Sequence, residues 1–315
     1  MSKIKLFFFK LLEKTAIFFG SIGINKKTPG MLAIYNFFYS LLWPYGKIIE
    51  IQGSKMHVGI AGEKLSMRRT FEAYSANEVH EQATTDLFKS IIRKGDTFLD
   101  LGANIGYFTL LAANLVGKEG RVFSFEPEPK NYNYLKRNMA LNGYNQVQAF
   151  QKAVADKNGK TSLFICDYDT GHHTINKYDG IRAYSRGRGG KKHSIEIETV
   201  TLDSFLEGKV DRVNVIKMDV EGAEALALTG MDKILRNNKD IKMILEFFPL
   251  LIENMGSDPR EFLRKLFEDY GFSIYIIPDD YNSQSATMQK LNTAQEVLNH
   301  RKEKDDHINL FLKRK

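Results

Sequence analysis

The sequence predicts an α/β fold built on a mostly parallel sheet, and three observations predict it. Residues 97–127, TFLDLGANIGYFTLLAANLVGKEGRVFSFEP, read as strand, tight glycine turn, helix, strand and acidic residue. Apolar runs of strand length then alternate with helical segments as far as residue 277. The 315 residues exceed a six- or seven-stranded sheet and its helices by about one helical subdomain. These features divide the chain into a basic amphipathic helical segment (1–45), a short β-ribbon and linker (46–80) and the α/β domain (81–315).

Each element has a local reason. IIEIQGSKMHVGI, at residues 48–60, suggests an antiparallel ribbon of short strands running on to about Glu72. Thr97 to Leu101 is a short apolar, β-capable run, Gly102 to Gly106 supplies a turn, and Tyr107 to Val116 is apolar almost throughout, as a helix packed on a sheet would be. Gly117 and Gly120 end that helix. Arg121 to Phe125 is the next strand, and Pro127 forces the chain out of it. Asn131 to Asn142 reads as a helix and Val147 to Val154 as a strand. Strands near Thr161 to Cys166 and Ile195 to Val200 bracket a polar insertion. Val213 to Met218 is a buried central strand, followed by a helix at Ala223 to Leu235, a strand at Ile241 to Phe247 and a helix at Pro259 to Tyr270. Phe272 to Ile277 and Ile308 to Leu312 are apolar strands separated by a polar, partly helical excursion.

The turn carries the chemistry. Asp100-Leu101-Gly102-Ala103-Asn104-Ile105-Gly106 is D-x-G-x-x-x-G, not the G-x-G-x-x-G that crowds backbone amides against a pyrophosphate. A cofactor without phosphate, such as S-adenosyl-L-methionine, needs room for an amino-acid tail and a sulfonium, plus an acid or amide for the ammonium. Asp100 and Asn104 are of that kind. Glu126 stands at the carboxyl end of the next strand, 24 residues after Gly102, where an open α/β sheet places a ribose-binding acid. A glycine pair alone would fit a turn in an unrelated α/β protein; the acid at the ribose distance favours a nucleoside cofactor.

The chain resembles the class I S-adenosylmethionine-dependent methyltransferases of the FkbM type. The resemblance rests on FLDLGANIGYFTLLAA, VFSFEPEPKNYNYLKRNMALNG, the AVAD run at Ala153 to Asp156, VTLDSFL at 200–206 and VIKMDVEGAEALALTGM at 215–231, in the family's order over roughly residues 80–250. DVEGAE, Asp219 to Glu224, is its most distinctive segment. The resemblance implies a Rossmann-like, mostly parallel seven-stranded sheet closed by a C-terminal antiparallel hairpin, and O-methylation of sugars or other hydroxylated metabolites.

Ligands of open α/β sheets lie outside the carboxyl ends of the central strands, so residues following each strand are the site candidates. Asp100, Gly102, Asn104 and Gly106 are assigned to the methionine moiety and turn, Glu126 to the ribose hydroxyls, Ala153 to the adenine pocket, and Asp219 to the sulfonium and acceptor. Asp219 is also readable as a structural acid capping the helix that follows, which is compatible with a site role. A hydroxyl acceptor calls for a general base, and the candidates are His173, His172, Asp219 and Glu246, with His173 preferred; a surface histidine is the alternative. A carboxylate acceptor, as in a uronic acid, needs no base. Asp219, Glu221 and Glu246 are hard-cation ligand types, but their spacing does not specify a metal.

Charge adds partners. The formal net charge is +7. Lys3, Lys5, Lys10, Lys14, Lys26 and Lys27 interleave with phenylalanine and leucine in the first thirty residues, and MLAIYNFFYSLLW follows at 31–43. Neither run reaches the roughly 18 to 20 apolar residues of a spanning helix, and no small-residue cleavage site follows. The segment suits an anionic membrane surface or, alternatively, packing on the catalytic domain or a partner. A second basic cluster, Arg182, Arg186, Arg188, Lys191 and Lys192, lies in the glycine-rich insertion, which is either a phosphate-gripping lid or a solvated loop; it lacks the aromatics of a nucleic-acid platform. Cys166 is the single cysteine, most simply a packed core thiol, so no intrachain disulfide forms and a reducing, cytoplasmic compartment is the natural reading, with the N-terminal segment at the inner membrane face. The expected activity is methylation of a sugar or glycolipid acceptor. The alternatives are a non-catalytic cofactor-binding protein on the same fold and, more distantly, a NAD-dependent enzyme.

Overall fold

The structure, a computed structural model, describes residues 37, 47–58, 79–166, 173–175, 193–278, 287–300 and 307–314. The chain divides into two compact units, residues 1–51 with 55–78, and residues 52–54 with 79–315. Strands β1 (Lys47–Ile51) and β2 (Ser54–Val58) pair with each other as a two-stranded sheet. The basic segment before residue 46, apart from Phe37, lies outside the described residues, as do His172 and the cationic cluster 182–192.

In the second unit, helix α1 (Gln82–Ile91) leads into β3 (Thr97–Leu101), α2 (Tyr107–Val116), β4 (Arg121–Phe125), α3 (Pro129–Asn142) and β5 (Val147–Phe150). The first strand is buried throughout, and α2 buries eight of its ten residues, because a sheet covered on its faces has no solvated side to tolerate polar alternation. Pro129 in the first turn and a Glu128 side chain accepting from the Asn131 N–H start α3. The chain then leaves the main sheet. Strands β6 (Ala153–Val154), β7 (Gly159–Ile165) and β8 (His193–Val200) form a separate three-stranded sheet in the order β6-β8-β7. The run expected as one strand over 147–154 is therefore two strands in different sheets.

The chain returns through α4 (Leu202–Phe205) to β9 (Val215–Met218), α5 (Glu224–Thr229), α6 (Asp232–Asn237), β10 (Lys242–Phe247), α7 (Pro249–Asn254) and α8 (Pro259–Arg264), which runs into a π turn at Lys265–Asp269. It closes with β11 (Phe272–Ile276), β12 (Gln289–Leu291), α9 (Ala294–Asn299) and β13 (Ile308–Arg314). The expected helix over 223–235 breaks at Gly230, where a Cβ would stand 2.0 Å from the Ala155 carbonyl oxygen. This close approach ends one helix and starts another.

The main sheet has the order β12-β11-β13-β10-β9-β3-β4-β5, eight strands where seven were expected. Five strands, β5, β4, β3, β9 and β10, run parallel, and β13 enters antiparallel between β10 and β11. The added strand is β12, a short, mostly exposed edge strand on β11. Strand order reverses at β3: successive strands β4 and β5 lie to one side, β9 and β10 to the other. Such a switch point opens a crevice at the carboxyl ends. Leu101, Phe125 and Met218 are register partners of β3 and its neighbours, and Met218 pairs with Leu245, so Gly102, Glu126, Asp219 and Glu246 emerge as one row. Beneath them sits a core of Leu99, Phe123, Ile216 and Met243.

Candidate active site

The two loops that leave β3 and β9 touch. Gly102 has φ +82°, and a Cβ there would lie 1.8 Å from the Asp219 carbonyl oxygen, a backbone atom that cannot swing aside. The Gly102 and Ala103 N–H groups both donate to the Phe125 carbonyl, at 2.9 and 3.0 Å, and the Asp219 N–H donates to the Leu101 carbonyl at 3.0 Å. The turn is thus pinned to both neighbouring strands. Asn104 (φ +49°) and Gly106 (φ +96°) complete it in left-handed backbone, with Gly106 facing Leu135 of α3.

Glu126 is buried, and its carboxylate is held from two sides: Oε2 accepts from the Asn104 N–H at 2.7 Å and Oε1 from the Glu128 N–H at 2.9 Å. Burial pushes its pKa up to about 8 despite those two bonds. Each oxygen keeps a further lone pair for a ligand hydroxyl. Asp100, by contrast, lies wholly inside. Its Oδ2 accepts from the Thr109 hydroxyl at 2.6 Å, Thr109 in turn meets Ser124 at 2.9 Å, and its Oδ1 has no hydrogen-bond partner. Burial raises its pKa, against the lowering pull of Lys217 and Thr109.

On the other side of the switch point, β9 carries a buried Lys217 directly across from Asp100 in register. Its Nζ is 3.0 Å from Asp219 Oδ2 and 5.3 Å from the centre of the Phe108 ring. Burial works against the Lys217 charge, but Asp219, Asp100 and Glu81 together raise its pKa. Burial also opposes ionisation of Asp219, yet Lys217 and a hydrogen bond with Glu246 hold its carboxyl below the usual range. Glu246 moves the other way: burial, then repulsion from Asp219 and Glu221, raises it well above the ordinary carboxylate value. Two neighbouring carboxyls driven apart in this way hold one proton between them. His307 Nε2 lies 3.4 Å from Glu246 Oε1.

The rest of DVEGAE shapes the loop. Glu221 has φ +52°, and its carbonyl accepts from the Thr174 hydroxyl at 2.7 Å. Gly222 (φ +97°) passes so close to α7 that a Cβ would stand 2.8 Å from Leu251 Cβ. Glu224 folds back and accepts from the Gly222 N–H at 3.1 Å; burial lifts its pKa to about 7. Ligand oxygens of Asp219, Glu221 and Glu246 lie within 4.8 Å of one another, close enough to share a hard cation, although Lys217 already answers the charge on Asp219.

The structure brings Gly102, Asn104, Glu126 and Asp219 together at the carboxyl ends of β3, β4 and β9, with Gly106 at the start of α2. Ala153 lies at the start of β6 with its side chain in the small core of Leu163, Ile165 and Ile197. The Nδ1 of His173 accepts from the Cys166 N–H at 3.1 Å, which in the neutral ring puts the proton on Nε2. Glu81, Lys217 and His307 join the crevice without having been read from the sequence. Glu81 stands 3.2 Å from His80 and 3.5 Å from Asn309 Nδ2; burial opposes its charge, but His80 and Lys217 hold its pKa low. A lysine inside VIKMDV, a lone charge within an apolar strand, was the available signal for Lys217. Glu81 and His307 stand just before an element, at its amino end, where the rule of residues following strands does not look, and gave none.

Residues 100–274 match the family model described as Methyltransferase FkbM domain. Methyltransferase 1 of Beauveria bassiana is 31% identical over 149 residues, which cover 44% of this chain and 59% of that protein. The chain thus spans about three-fifths of that relative's length. The hexuronic acid methyltransferase AglP of Haloferax volcanii is 25% identical over 189 residues, 60% of this chain and 68% of AglP. Among solved structures, the FkbM methyltransferase of Methylobacillus flagellatus is 14% identical, with coverage of 80% of this chain and 55% of that one and a TM-score of 0.37.

Proposed function

Because the chain belongs to the FkbM family of class I S-adenosylmethionine-dependent methyltransferases, we propose that it methylates an oxygen of a sugar or glycolipid acceptor. The observation that carries this reading is the level row of Gly102, Glu126, Asp219 and Glu246 at the switch point of the sheet. When bound, S-adenosylmethionine supplies an electrophilic methyl group on a sulfonium. In the reading proposed here, the turn from Gly102 to Gly106 receives the methionine moiety, with Asp100 behind it. The spare lone pairs of Glu126 accept the ribose hydroxyls, and Ala153 borders the adenine pocket.

Asp219, held ionised beside Lys217, accepts a hydrogen bond from the acceptor hydroxyl, orients it, and takes its proton as the new carbon–oxygen bond forms. Glu246 and His307 lie behind Asp219. Asp219 is preferred to His173 as the base, because His173 Nδ1 accepts from the Cys166 N–H, which in the neutral ring leaves the proton on Nε2. AglP is by name a hexuronic acid methyltransferase, which supports a carbohydrate acceptor. A membrane-surface location through the lysine-rich first 45 residues, and a phosphate-bearing acceptor gripped by the Arg182 to Lys192 segment, belong to the same proposal.

Mass spectrometry of glycans and glycolipids from cells with and without the protein tests it. The expected result is a sugar residue heavier by one methylene only when the protein is present. Mild alkali separates the two oxygen classes: an ether from a hydroxyl survives, whereas a methyl ester from a uronic acid is released. Methyl groups found only on protein or nucleic acid would contradict the reading.

A further inference from the structure

The loop that carries Asp219, and α5 behind it, are held from outside the main sheet. Between Asp219 and Ala223 the chain turns through two left-handed residues, Glu221 at φ +52° and Gly222 at φ +97°. Glycine adopts such backbone freely, whereas a glutamate does so only where its surroundings hold it there. Thr174 supplies that hold: its buried hydroxyl donates to the Glu221 carbonyl at 2.7 Å. Thr174 is itself fixed. Its N–H donates to the Phe164 carbonyl at 3.2 Å and its carbonyl accepts from the Phe164 N–H at 2.8 Å, an antiparallel bridge onto β7. Ile175 beside it packs on the small core of Ala153, Leu163, Ile165 and Ile197. The same small sheet meets the far end of α5. Ala155, whose N–H donates to the Val200 carbonyl of β8, lies so near Gly230 that a Cβ there would stand 2.0 Å from the Ala155 carbonyl oxygen. The β6-β8-β7 sheet thus clamps the loop and its helix at both ends.

Resting on the reading of Asp219 as the base, we infer that Thr174 is a positioning residue for methyl transfer: its hydroxyl, anchored on β7, holds Glu221 in left-handed backbone and so sets where the Asp219 carboxylate stands. The lever is short. Asp219 is two residues from Glu221, and its own N–H is pinned to the Leu101 carbonyl at 3.0 Å, so the Thr174 bond fixes the other side of the same turn. In-line transfer tolerates little displacement of the group that orients the acceptor, since a misplacement of about 1 Å costs on the order of a hundredfold in rate. The bonds that hold the Gly102 turn and Glu126 run to Phe125, Asn104 and Glu128 instead. Loss of the Thr174 hydroxyl therefore falls on transfer and spares cofactor binding.

Three readouts on the full chain test this, with methyl-labelled S-adenosylmethionine as donor and the glycan and glycolipid extract of cells lacking the protein as acceptor. In ligand-free Thr174→Val, hydrogen exchange of the Asp219, Gly222 and Ala223 amides, each hydrogen-bonded within the loop or to β3, should quicken about tenfold, the effect of losing one buried hydrogen bond. Turnover at saturating donor should fall about tenfold or more, while the affinity for S-adenosylmethionine by calorimetry stays within about twofold. Thr174→Ser, which keeps the hydroxyl, should restore both exchange and turnover; Thr174→Ala takes the place of the valine variant should that one fold poorly. Unchanged exchange would overturn the inference and leave the cofactor and base assignments standing. Faster exchange with unchanged turnover would overturn it as well, leaving Thr174 a support of the fold alone. No labelled product from the unaltered chain would count instead against the proposed acceptor or base, and the exchange measurement would still decide whether Thr174 holds the loop.

Discussion

Glu126 sets the behaviour of the empty protein with pH. Its carboxyl has an ordinary value of 4.5 and is pushed up to about 8 by burial. The folded chain therefore binds this proton more tightly than the unfolded chain does. Below about pH 4.5 both states are protonated and nothing is lost. Between about 4.5 and 8 the unfolded chain ionises first, so stability falls as pH rises, and above about 8 the loss is complete. Glu224, raised to about 7, acts in the same direction. The melting temperature of the ligand-free protein should drop by several degrees from pH 5 to pH 8, and Glu126→Gln should remove much of that drop. Parallel curves for the two proteins would remove Glu126 as its source. At this scale the sequence exposed the carboxylates that follow strands, because position after a strand is a topological property. It did not expose which of them are buried, paired or protonated. Those properties depend on Lys217, Glu81 and His307, which come from three distant segments.

At the scale of the element, the glycine turn is a packing device before it is a ligand site. Alanine at Gly102 would meet the Asp219 carbonyl at 1.8 Å in addition to adopting φ +82°. Gly143 offers a control, since its φ is +63° but nothing lies within 4 Å of a Cβ there. Gly143→Ala should cost about 1 kcal/mol, the left-handed backbone penalty, whereas Gly102→Ala should cost at least about 2 kcal/mol more. Denaturant midpoints would measure the difference; equal losses would mean that the two loops do not touch as described. Most elements were legible, because apolar runs bounded by glycine and proline mark buried strands and helices. The breaks were not. The chain switches sheets between Phe150 and Ala153, and the helix parts at Gly230 where it meets Ala155, both consequences of contacts remote in sequence. Strand β12 escaped notice because Gln289 and Lys290 are polar and exposed, as an edge strand tolerates.

At the scale of the whole molecule, the parallel sheet with its inserted antiparallel β13 agrees with the architecture that the family resemblance implied. Among the described residues no helix is long and apolar enough to cross a membrane. The first 45 residues, which lie almost wholly outside the described set, remain a proposal for surface attachment. Six lysines near an anionic surface, at roughly 1 kcal/mol each, suffice for reversible binding. Deletion of residues 1–45 should therefore abolish sedimentation with anionic vesicles. Unchanged sedimentation would reassign the segment to packing or assembly.

The central claim is that the crevice between β3 and β9 holds S-adenosylmethionine through the turn at Gly102 and the carboxylate of Glu126. Calorimetric titration with S-adenosylmethionine and, separately, NAD tests it most directly. The account predicts micromolar binding of S-adenosylmethionine and none of NAD, whose pyrophosphate finds no third glycine at the turn. It predicts further that above about pH 8, where Glu126 is ionised, Glu126→Ala weakens the first by about 1.5 to 3 kcal/mol, the range for hydrogen bonds to a charged group. NAD binding without S-adenosylmethionine binding, or an affinity unchanged in Glu126→Ala, would contradict it.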